Sequence, residues 1–142
     1  MRRFIKLICL VMAFSLCMAI PVAADEISPY ASNYFMSHNT YLWETSSSSF
    51  QVWFSVTAVG TMAELGVNYI EVERSTDGVN WSVVKTYDKE DYSNLVASNT
   101  YYHSGSVTYS NRVSGYQYRA YVELYAKNSS GGKAYSGTYA YF

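Results

Sequence analysis

The stretch from Phe50 to Val59, FQVWFSVTAV, alternates strictly between two sets of side chains. The first set is apolar and comprises Phe50, Val52, Phe54, Val56 and Ala58. The second set comprises Gln51, Trp53, Ser55 and Thr57. A period of two is the pattern of a β-strand with one buried face. The stretch therefore predicts a strand that turns its apolar side chains toward a core.

A second stretch with the same period begins at Tyr118, in YRAYVELYAK. This strand is predicted to bury its small apolar residues, Ala120, Val122, Leu124 and Ala126. Between the two stretches, YIEVER and WSVVKTY are joined through STDGVN. The Asp77-Gly78 pair in that connection supplies the positive φ angle that a hairpin turn needs. The chain is thus predicted to build its core from strands and turns.

Further strands are predicted in ASNYFMSHNTYLW, GSVTYS and KAYSGTYAYF, which brings the total to about seven. This spacing favours an all-β, antiparallel two-sheet sandwich, and a closed antiparallel barrel is the alternative. GTMAELGV, Gly60 to Val67, predicts one helical turn with Thr61 as N-cap and Glu64 as its capping-box partner. DKEDYSNLVASNTYYHSG predicts a loop or an irregular excursion with a short edge strand.

Residues 1–24 have the three parts of a secretory signal peptide, in the order MRRFIK, LICLVMAFSLCMAI and PVAA. We expect cleavage after Ala24, a single domain over residues 25–142 and a secreted, extracellular protein. A retained membrane anchor is the alternative, although the polar segment DEISPY follows directly. Cys9 and Cys17 both lie in the predicted signal peptide, so the exported domain is expected to have no disulfide and to depend on its core.

Charge argues against one class of partner. The predicted signal peptide contains Arg2, Arg3 and Lys6 and none of the 11 acidic residues, so its removal makes the formal net charge more negative than the −1 of the whole chain. Binding to nucleic acid depends on Lys and Arg that neutralise phosphates. Nucleic acid is therefore not an expected partner, and binding to anionic surfaces would have to come from local contacts.

The segment GYQYRAYVELYAKNSSG resembles the penultimate strand and turn of fibronectin type III modules, in which Gly-x-x-Tyr opens a strand of alternating small apolar residues. This resemblance implies an immunoglobulin-like sandwich in which Tyr118 is the corner tyrosine. VNYIEVERSTDGVNWSVVKTYD resembles the central hairpin of bacterial versions of the module. That second resemblance implies that Trp81 packs back over the core.

A resemblance to another family covers nearly all of the predicted exported domain. The segments SNYFMSHNTYLW, GTMAELGV, WSVVKTY, YYHSGSVTYS and GYQYRAYVELYAKNSSGG resemble a family of small secreted proteins from Gram-positive gut bacteria, defined as a domain of unknown function. The resemblance implies export and a β-rich fold. It implies no activity and no site residues.

The chemistry-bearing residues do not form a catalytic or metal-binding pattern. His38 and His103 lie in different segments, and no cysteine is expected in the exported domain to complete a zinc site. Glu71 and Glu73 share one face of a strand, which a solvated sheet face explains, and Glu90-Asp91 lies in a polar segment. No G-x-S-x-G motif is present. We therefore expect no enzyme activity, no metal and no cofactor.

The tyrosines are the remaining candidates for a site. If Tyr118 faces inward, Tyr121 and Tyr125 face outward on the same strand, and the last strand presents Tyr135, Tyr139 and Tyr141 at the same period. These five residues are predicted to form one aromatic face. A tyrosine ring has an apolar body and a hydroxyl at its edge, which suits stacking on sugars or anchoring a protein. The competing interpretation is that the rings only stabilise the sheet through cross-strand pairs.

Two classes of function follow. The first is a non-catalytic extracellular binding module that recognises a glycan or a protein surface. The second is a secreted antimicrobial or membrane-active protein, because YYHSGSVTYS and the aromatic C-terminus resemble the lactococcin 972 bacteriocins, which are small cysteine-free β-sandwiches.

Overall fold

A computed structural model of the protein describes residues 33–142. The predicted signal peptide, both cysteines and the predicted domain start lie outside the described residues. The described part of the chain is mostly β-strand, joined by turns and loops, and includes a 3₁₀ turn at Ser93–Leu95. The strands are β1 (Phe35–Ser46), β2 (Ser49–Ser75), β3 (Ser82–Asp88), β4 (Val96–Tyr109), β5 (Gln117–Lys127) and β6 (Lys133–Tyr141).

Strand β2 organises the sheet, because four of the other strands pair with it. It is 27 residues long, whereas most strands have about 3 to 10 residues. Its first half pairs with β1 on one edge and with β4 on the other, and its second half pairs with β5 and β3. Strand β6 pairs with the outer edge of β5. All of these pairings are antiparallel, and together they form one six-stranded sheet.

Both halves of the sheet contribute to the same core. The predicted inward residues of the first half of β2, Phe50 through Ala58, are buried, and so are those of β5, Ala120 through Ala126. The ring of Phe50, in the first half of β2, lies 5.4 Å from the ring of Tyr118 on β5. It also lies 5.4 Å from the ring of Phe142, which follows β6. The sheet therefore curls so that its two halves cover one apolar interior.

The all-β, antiparallel part of the fold prediction is confirmed. The described residues contain six strands rather than about seven, and the division into two separate sheets is not confirmed. The reason is the length of β2, which is one strand of 27 residues and runs from one half of the sheet into the other. The alternation within each strand predicted which side chains face the core, but it carries no information on where a strand ends.

The predicted helical turn at residues 60–67 is wrong, because this segment is extended and belongs to β2. Its backbone pairs with β4, where Glu64 lies opposite Ser98, and with β5, where Glu64 lies opposite Lys127. The register of β2 against β4 shifts between Thr57 and Met62, where β2 passes from its first half into its second. Such bulges add twist and change which residues face inward. The Glu64 carboxylate does not act as the capping-box partner of Thr61, because it binds Tyr125 and Lys127 on β5.

Gly66 is required where β2 meets the start of β4. A Cβ atom at this position would overlap the carbonyl oxygen of Leu95 and crowd the backbone of Val96. Leu95 itself is fully buried. The close approach of two backbones leaves room only for glycine here.

The polar segment after β3 is more ordered than the sequence predicts. Tyr92 packs edge-on against Tyr87 at 5.1 Å, and the 3₁₀ turn carries Leu95 into the core. The chain then forms β4, whose 14 residues include the predicted short strand GSVTYS except for its last residue, Ser110. The side chain of Asn94 donates a hydrogen bond of 2.9 Å to the carbonyl of Ser106. The segment is therefore irregular up to Leu95 and a strand from Val96 onward, which is closer to the predicted excursion with an edge strand than to a loop.

Trp81 does not pack over the core, which corrects the expectation for this residue. Its side chain is half-buried at the end of the connection between β2 and β3. The indole Nε1 donates to the carbonyl of Gly78 at 3.1 Å, and the Arg119 guanidinium lies 4.3 Å above the ring. Gly78 has the predicted positive φ, at 72°. The ring thus closes the turn and supports a surface arginine.

Tyr118 occupies the position expected of a corner tyrosine. The side chain is 2% exposed, and its hydroxyl accepts a hydrogen bond of 2.8 Å from the backbone N–H of Val113. This contact ties the start of β5 to the loop before it. A buried tyrosine that bonds to backbone a few residues upstream is the defining contact of that motif.

Candidate functional site on the outward aromatic surfaces

The pairing of β5 with β6 places the predicted tyrosines on one face. Tyr121 lies directly opposite Tyr139, and Tyr125 lies directly opposite Tyr135. Tyr141 lies opposite Arg119. These side chains alternate with the buried alanines and aliphatic residues of β5, so they point away from the core. The expected sharing of a face and the expected pairing of the strands are both present.

Exposure divides the set. Tyr135, Tyr139 and Tyr141 on β6 are 40%, 42% and 61% exposed, and Tyr121 on β5 is half-buried. Tyr125 is only 1% exposed, so the expectation that all five rings stay accessible is wrong for this residue. We call the four accessible residues the tyrosine face; they are Tyr121, Tyr135, Tyr139 and Tyr141.

Tyr125 is buried by residues from three other segments. The Lys89 ammonium lies 3.7 Å above its ring, and the Tyr135 ring lies 5.5 Å away. Its hydroxyl donates to a Glu64 carboxylate oxygen at 2.9 Å, and Lys127 binds the other oxygen at 2.9 Å. Burial, followed by the bond to Glu64, raises the pKa of Tyr125. The bonds from Lys127 and Tyr125 lower the pKa of Glu64.

Arg119 lies opposite Tyr141 and contacts the tyrosine face at the ring of Tyr139. Its guanidinium lies 4.3 Å from the ring centre of Trp81 and 4.4 Å from that of Tyr139, so both rings contact the same cation. The guanidinium also forms an ion pair with Glu73, whose side chain is 10% exposed. A cation between two aromatic faces is attracted by both. The ring of Tyr139 is therefore fixed in place although it is exposed.

Tyr121 on β5 lies between Tyr139 on β6 and Tyr69 on β2. Its ring lies across Gly137, where an added Cβ would overlap the hydroxyl, and 5.1 Å from the ring of Tyr139. The Tyr69 ring is 5.9 Å away on the other side. Burial and the nearby Glu123 carboxylate raise the pKa of Tyr69 to about 12 and also raise the pKa of Tyr121. Both hydroxyls are protonated at neutral pH, as tyrosine hydroxyls ordinarily are, and each can donate a hydrogen bond.

A second aromatic surface lies on β1 and the first half of β2, and the sequence analysis did not single it out. Tyr41 lies opposite Trp53, and Trp43 lies opposite Gln51. These four side chains line a cleft of about 300 Å³, which we call the tryptophan cleft. The sequence signal was present, since Trp53 and Gln51 belong to the outward set of the Phe50 strand. Finding the cleft required the register of β1.

The other chemistry-bearing residues are separate or already paired. His38 is exposed on β1, and the His103 ring nitrogen bonds to the carbonyl of Asn94 at 2.9 Å. Glu71 and Glu73 do share the outward face of β2, where Glu73 pairs with Arg119. Within residues 33–142 no cluster of three or more His, Cys, Asp or Glu side chains could hold a metal ion.

No family model, no curated protein and no solved structure matches this chain. In the described part of the chain there is no helix with the length and apolar character that crossing a bilayer requires. The class that the fold defines is an all-β protein with a single curled antiparallel sheet. Its two aromatic surfaces are the candidate binding sites.

Proposed function

We propose that this protein is a secreted, non-catalytic binding module that holds an extracellular glycan or protein through the tyrosine face. One observation carries the proposal: the exposed rings of Tyr135, Tyr139 and Tyr141 follow one another along a single strand of the sheet. The contact between Tyr139 and Tyr141, at 6.1 Å, makes two of them continuous. Contiguous exposed aromatic surface usually marks an interface.

The rings are held ready for a partner. Tyr139 contacts Arg119, Tyr121 and Tyr141, so its ring loses little freedom when a ligand covers it. A flat ring with few rotatable bonds gives a large contact area at low entropic cost. The pKa of the Tyr121 hydroxyl is raised. A tyrosine hydroxyl is protonated at neutral pH even without such a shift, so it can donate to a sugar oxygen or a backbone carbonyl.

The charges around the tyrosine face favour a partner without strong charge. Arg119 is paired with Glu73, and Lys127 is paired with Glu64. The Asn68 amide donates to Glu123 at 2.8 Å. Because these two cations are paired and the Glu71 and Glu123 carboxylates act on Tyr121, long-range attraction of a polyanion is weak. Recognition would rest on ring contacts and hydrogen bonds, as for a neutral glycan or a mixed protein surface.

The test is retention of the purified protein on an insoluble bacterial cell-wall preparation and on a mucin-coated surface. The double variant Tyr139→Ser with Tyr141→Ser should reduce retention at least about tenfold, since each lost aromatic anchor of an interface costs about 1 kcal/mol or more. The chain offers a matched control in Tyr101→Ser with Tyr102→Ser. These two tyrosines are 61% and 47% exposed on β4, close to the values for Tyr141 and Tyr139.

Equal retention of the two double variants would contradict a role for the tyrosine face. Tyr125 is not suitable for this test, because a change at a buried ring would alter stability as well. The bacteriocin-like alternative makes a different prediction, which is inhibition of the growth of related bacteria by the purified protein. We also propose that the curled sheet is a two-sheet sandwich of the fibronectin type III or immunoglobulin-like kind, and that the chain is related to the family of small secreted proteins that its sequence resembles.

A further inference from the structure

The tryptophan cleft is built on a rigid floor. Its side chains project from β1 and β2 at positions that alternate with Leu42, Val52 and Phe54, of which the last two are fully buried. The core therefore fixes the backbone from which the rings extend. Tyr41 and Trp53 stack at 4.7 Å with an angle of 26° between their planes. This stack forms one wall, and Trp43 and Gln51 form the rest of the lining.

The rings of the cleft are accessible although they are large and apolar. Trp43 is 61% exposed and Tyr41 is 44% exposed. In the described residues, neither ring is among the aromatic groups that contact a Lys or Arg cation, in contrast to Tyr125 and Tyr139 on the other surface. Water molecules beside the faces of aromatic rings form few hydrogen bonds with those rings. A ligand with an apolar face can displace that water at a favourable free energy.

The lining is uncharged and can make hydrogen bonds. Gln51 offers a carbonyl acceptor and an amide donor, and the Tyr41 hydroxyl and the two indole N–H groups add further polar edges. On the far side of β2, Ser106 lies opposite Trp53 and Thr108 lies opposite Gln51. Hydroxyl groups thus continue the outward surface beside the rings. The lining matches a ligand that carries no charge and many hydroxyls.

We infer that the tryptophan cleft is a binding site for an uncharged pyranose sugar unit. The C–H face of a pyranose carries partial positive charge that is attracted to the negative face of an aromatic ring. Trp43 and the Tyr41–Trp53 stack provide such ring faces, and Gln51 hydrogen-bonds to ring hydroxyls. A volume of about 300 Å³ is at the lower end of the range for ligand sites, about 300 to 1,000 Å³, so the cleft takes a short sugar rather than a large ligand.

The test is titration of the purified protein with three neutral disaccharides, cellobiose, maltose and N,N′-diacetylchitobiose, followed by indole fluorescence and calorimetry. At least one of them should bind with a dissociation constant in the range of about 1 mM or below, which is typical of a few good contacts. Trp43→Ala should weaken binding at least about tenfold. Gln51→Met keeps the side-chain length, removes the amide and should weaken binding by a smaller factor.

Tyr101→Ala is the matched control, since Tyr101 has the same 61% exposure as Trp43 and is outside the lining. It should bind the sugar as the unchanged protein does. Absence of binding by all three disaccharides, or binding that survives Trp43→Ala, overturns the inference. A dimer that Trp43→Ala dissociates, without sugar binding, would also overturn it and assign the cleft to a second copy of the chain. The cleft and the tyrosine face share no residue, so this result is independent of the proposed function.

Discussion

The tyrosine face and the tryptophan cleft are both made of aromatic side chains on the outward positions of paired strands, yet they differ in what surrounds the rings. On the tyrosine face, Tyr139 contacts the cation of Arg119, and the neighbouring Tyr125 is covered by Lys89. In the cleft, Tyr41 and Trp53 contact each other, and a space of about 300 Å³ stays open beside them. On the first surface, cationic side chains of the protein pack against the rings, whereas beside the rings of the cleft there is open space.

Strand position explains the depth of each ring. Strand β5 has neighbours on both sides, and its outward tyrosines are buried or half-buried; β6 lies at the end of the strand order, and its tyrosines are exposed. The same relation holds in the cleft, where Trp53 on the central strand β2 is half-buried and Trp43 on β1 is exposed. Alternation thus decides the direction of a side chain, and the place of its strand in the sheet decides how accessible it is.

The largest effect on stability is expected at Tyr125, because this residue on β5 is 1% exposed while its partner Tyr135 on β6 is 40% exposed. Tyr125→Ala should lower the free energy of unfolding by about 3 to 5 kcal/mol, as the loss of a buried aromatic ring does. Its cross-strand partner Tyr135 is 40% exposed, and Tyr135→Ala should cost less than about 1 kcal/mol. Urea unfolding of the two variants measures the difference. Similar costs for both would mean that the described burial of Tyr125 is incorrect.

A smaller loss is expected when Arg119 is removed. Arg119→Ala leaves the largely buried Glu73 carboxylate without its cation and removes the group that both Trp81 and Tyr139 contact. The cost should be about 2 kcal/mol, below that of a fully buried pair because the site is partly solvated. Arg112→Ala is the control, since its partner Glu44 is 53% exposed and an exposed pair contributes about 0 to 1 kcal/mol. Equal costs in thermal unfolding would argue against a supporting role for Arg119.

Gly137 tests how Tyr121 is placed. Gly137→Ala would push the Tyr121 ring off the strand, because the new methyl group overlaps its hydroxyl end. The ring can rotate away, so we expect a loss of about 1 kcal/mol and a more exposed Tyr121. Gly60→Ala is the control, because nothing lies within 4 Å of a Cβ at that position. Near-ultraviolet circular dichroism and denaturant unfolding report both changes, and an unaltered tyrosine signal would contradict the described packing.

The smallest effect concerns pH. The folded protein lowers the pKa of Glu64 below its usual 4.5 through its bonds to Lys127 and Tyr125. The stability contributed by this carboxylate is therefore present above about pH 4.5 and is lost as the pH falls through the lower, folded pKa. Because Glu64 and Lys127 are partly exposed, the contribution should be below about 1 kcal/mol.

Unfolding free energies from pH 6 to pH 3 in unchanged protein and in Glu64→Gln measure this effect, in a range that brackets the usual Glu pKa. The unchanged protein should lose slightly more stability than the variant over that range. Parallel curves would show that Glu64 is not held by Lys127 and Tyr125 as described. The comparison matters for the tyrosine face, because the same contacts cover Tyr125.

The sequence was sufficient for the features that depend on local alternation. It predicted the buried set from Phe50 to Ala58, the inward residues of β5 and the shared face of the β5 and β6 tyrosines. It was not sufficient for contacts between distant segments. Glu64 on β2 and Lys89 in the turn after β3 cover Tyr125, and no periodicity reveals that. The capping pattern of Thr61 and Glu64 was misleading, because pairing to β4 and β5 satisfies the same backbone in an extended conformation.

The tryptophan cleft shows the same limit from the other direction. The positions of Trp53 and Gln51 on an outward face followed from the alternation, and Tyr41 and Trp43 also alternate along their own segment. Only the register of the hairpin through Ser47 and Ser48 brings the two pairs side by side. A shift of one residue in that register would turn Tyr41 and Trp43 to the opposite face and remove the cleft.

Hydroxyl-radical footprinting of the unchanged protein, alone and bound to the surface preparation that retains it, tests the central claim most directly. Oxidation rates at each tyrosine and tryptophan are read by mass spectrometry. The proposed function predicts that Tyr135, Tyr139 and Tyr141 become protected on binding, while Tyr101 and Tyr102 stay as reactive as before. Retention of the protein without protection of those three residues would contradict the assignment of the tyrosine face as its binding surface.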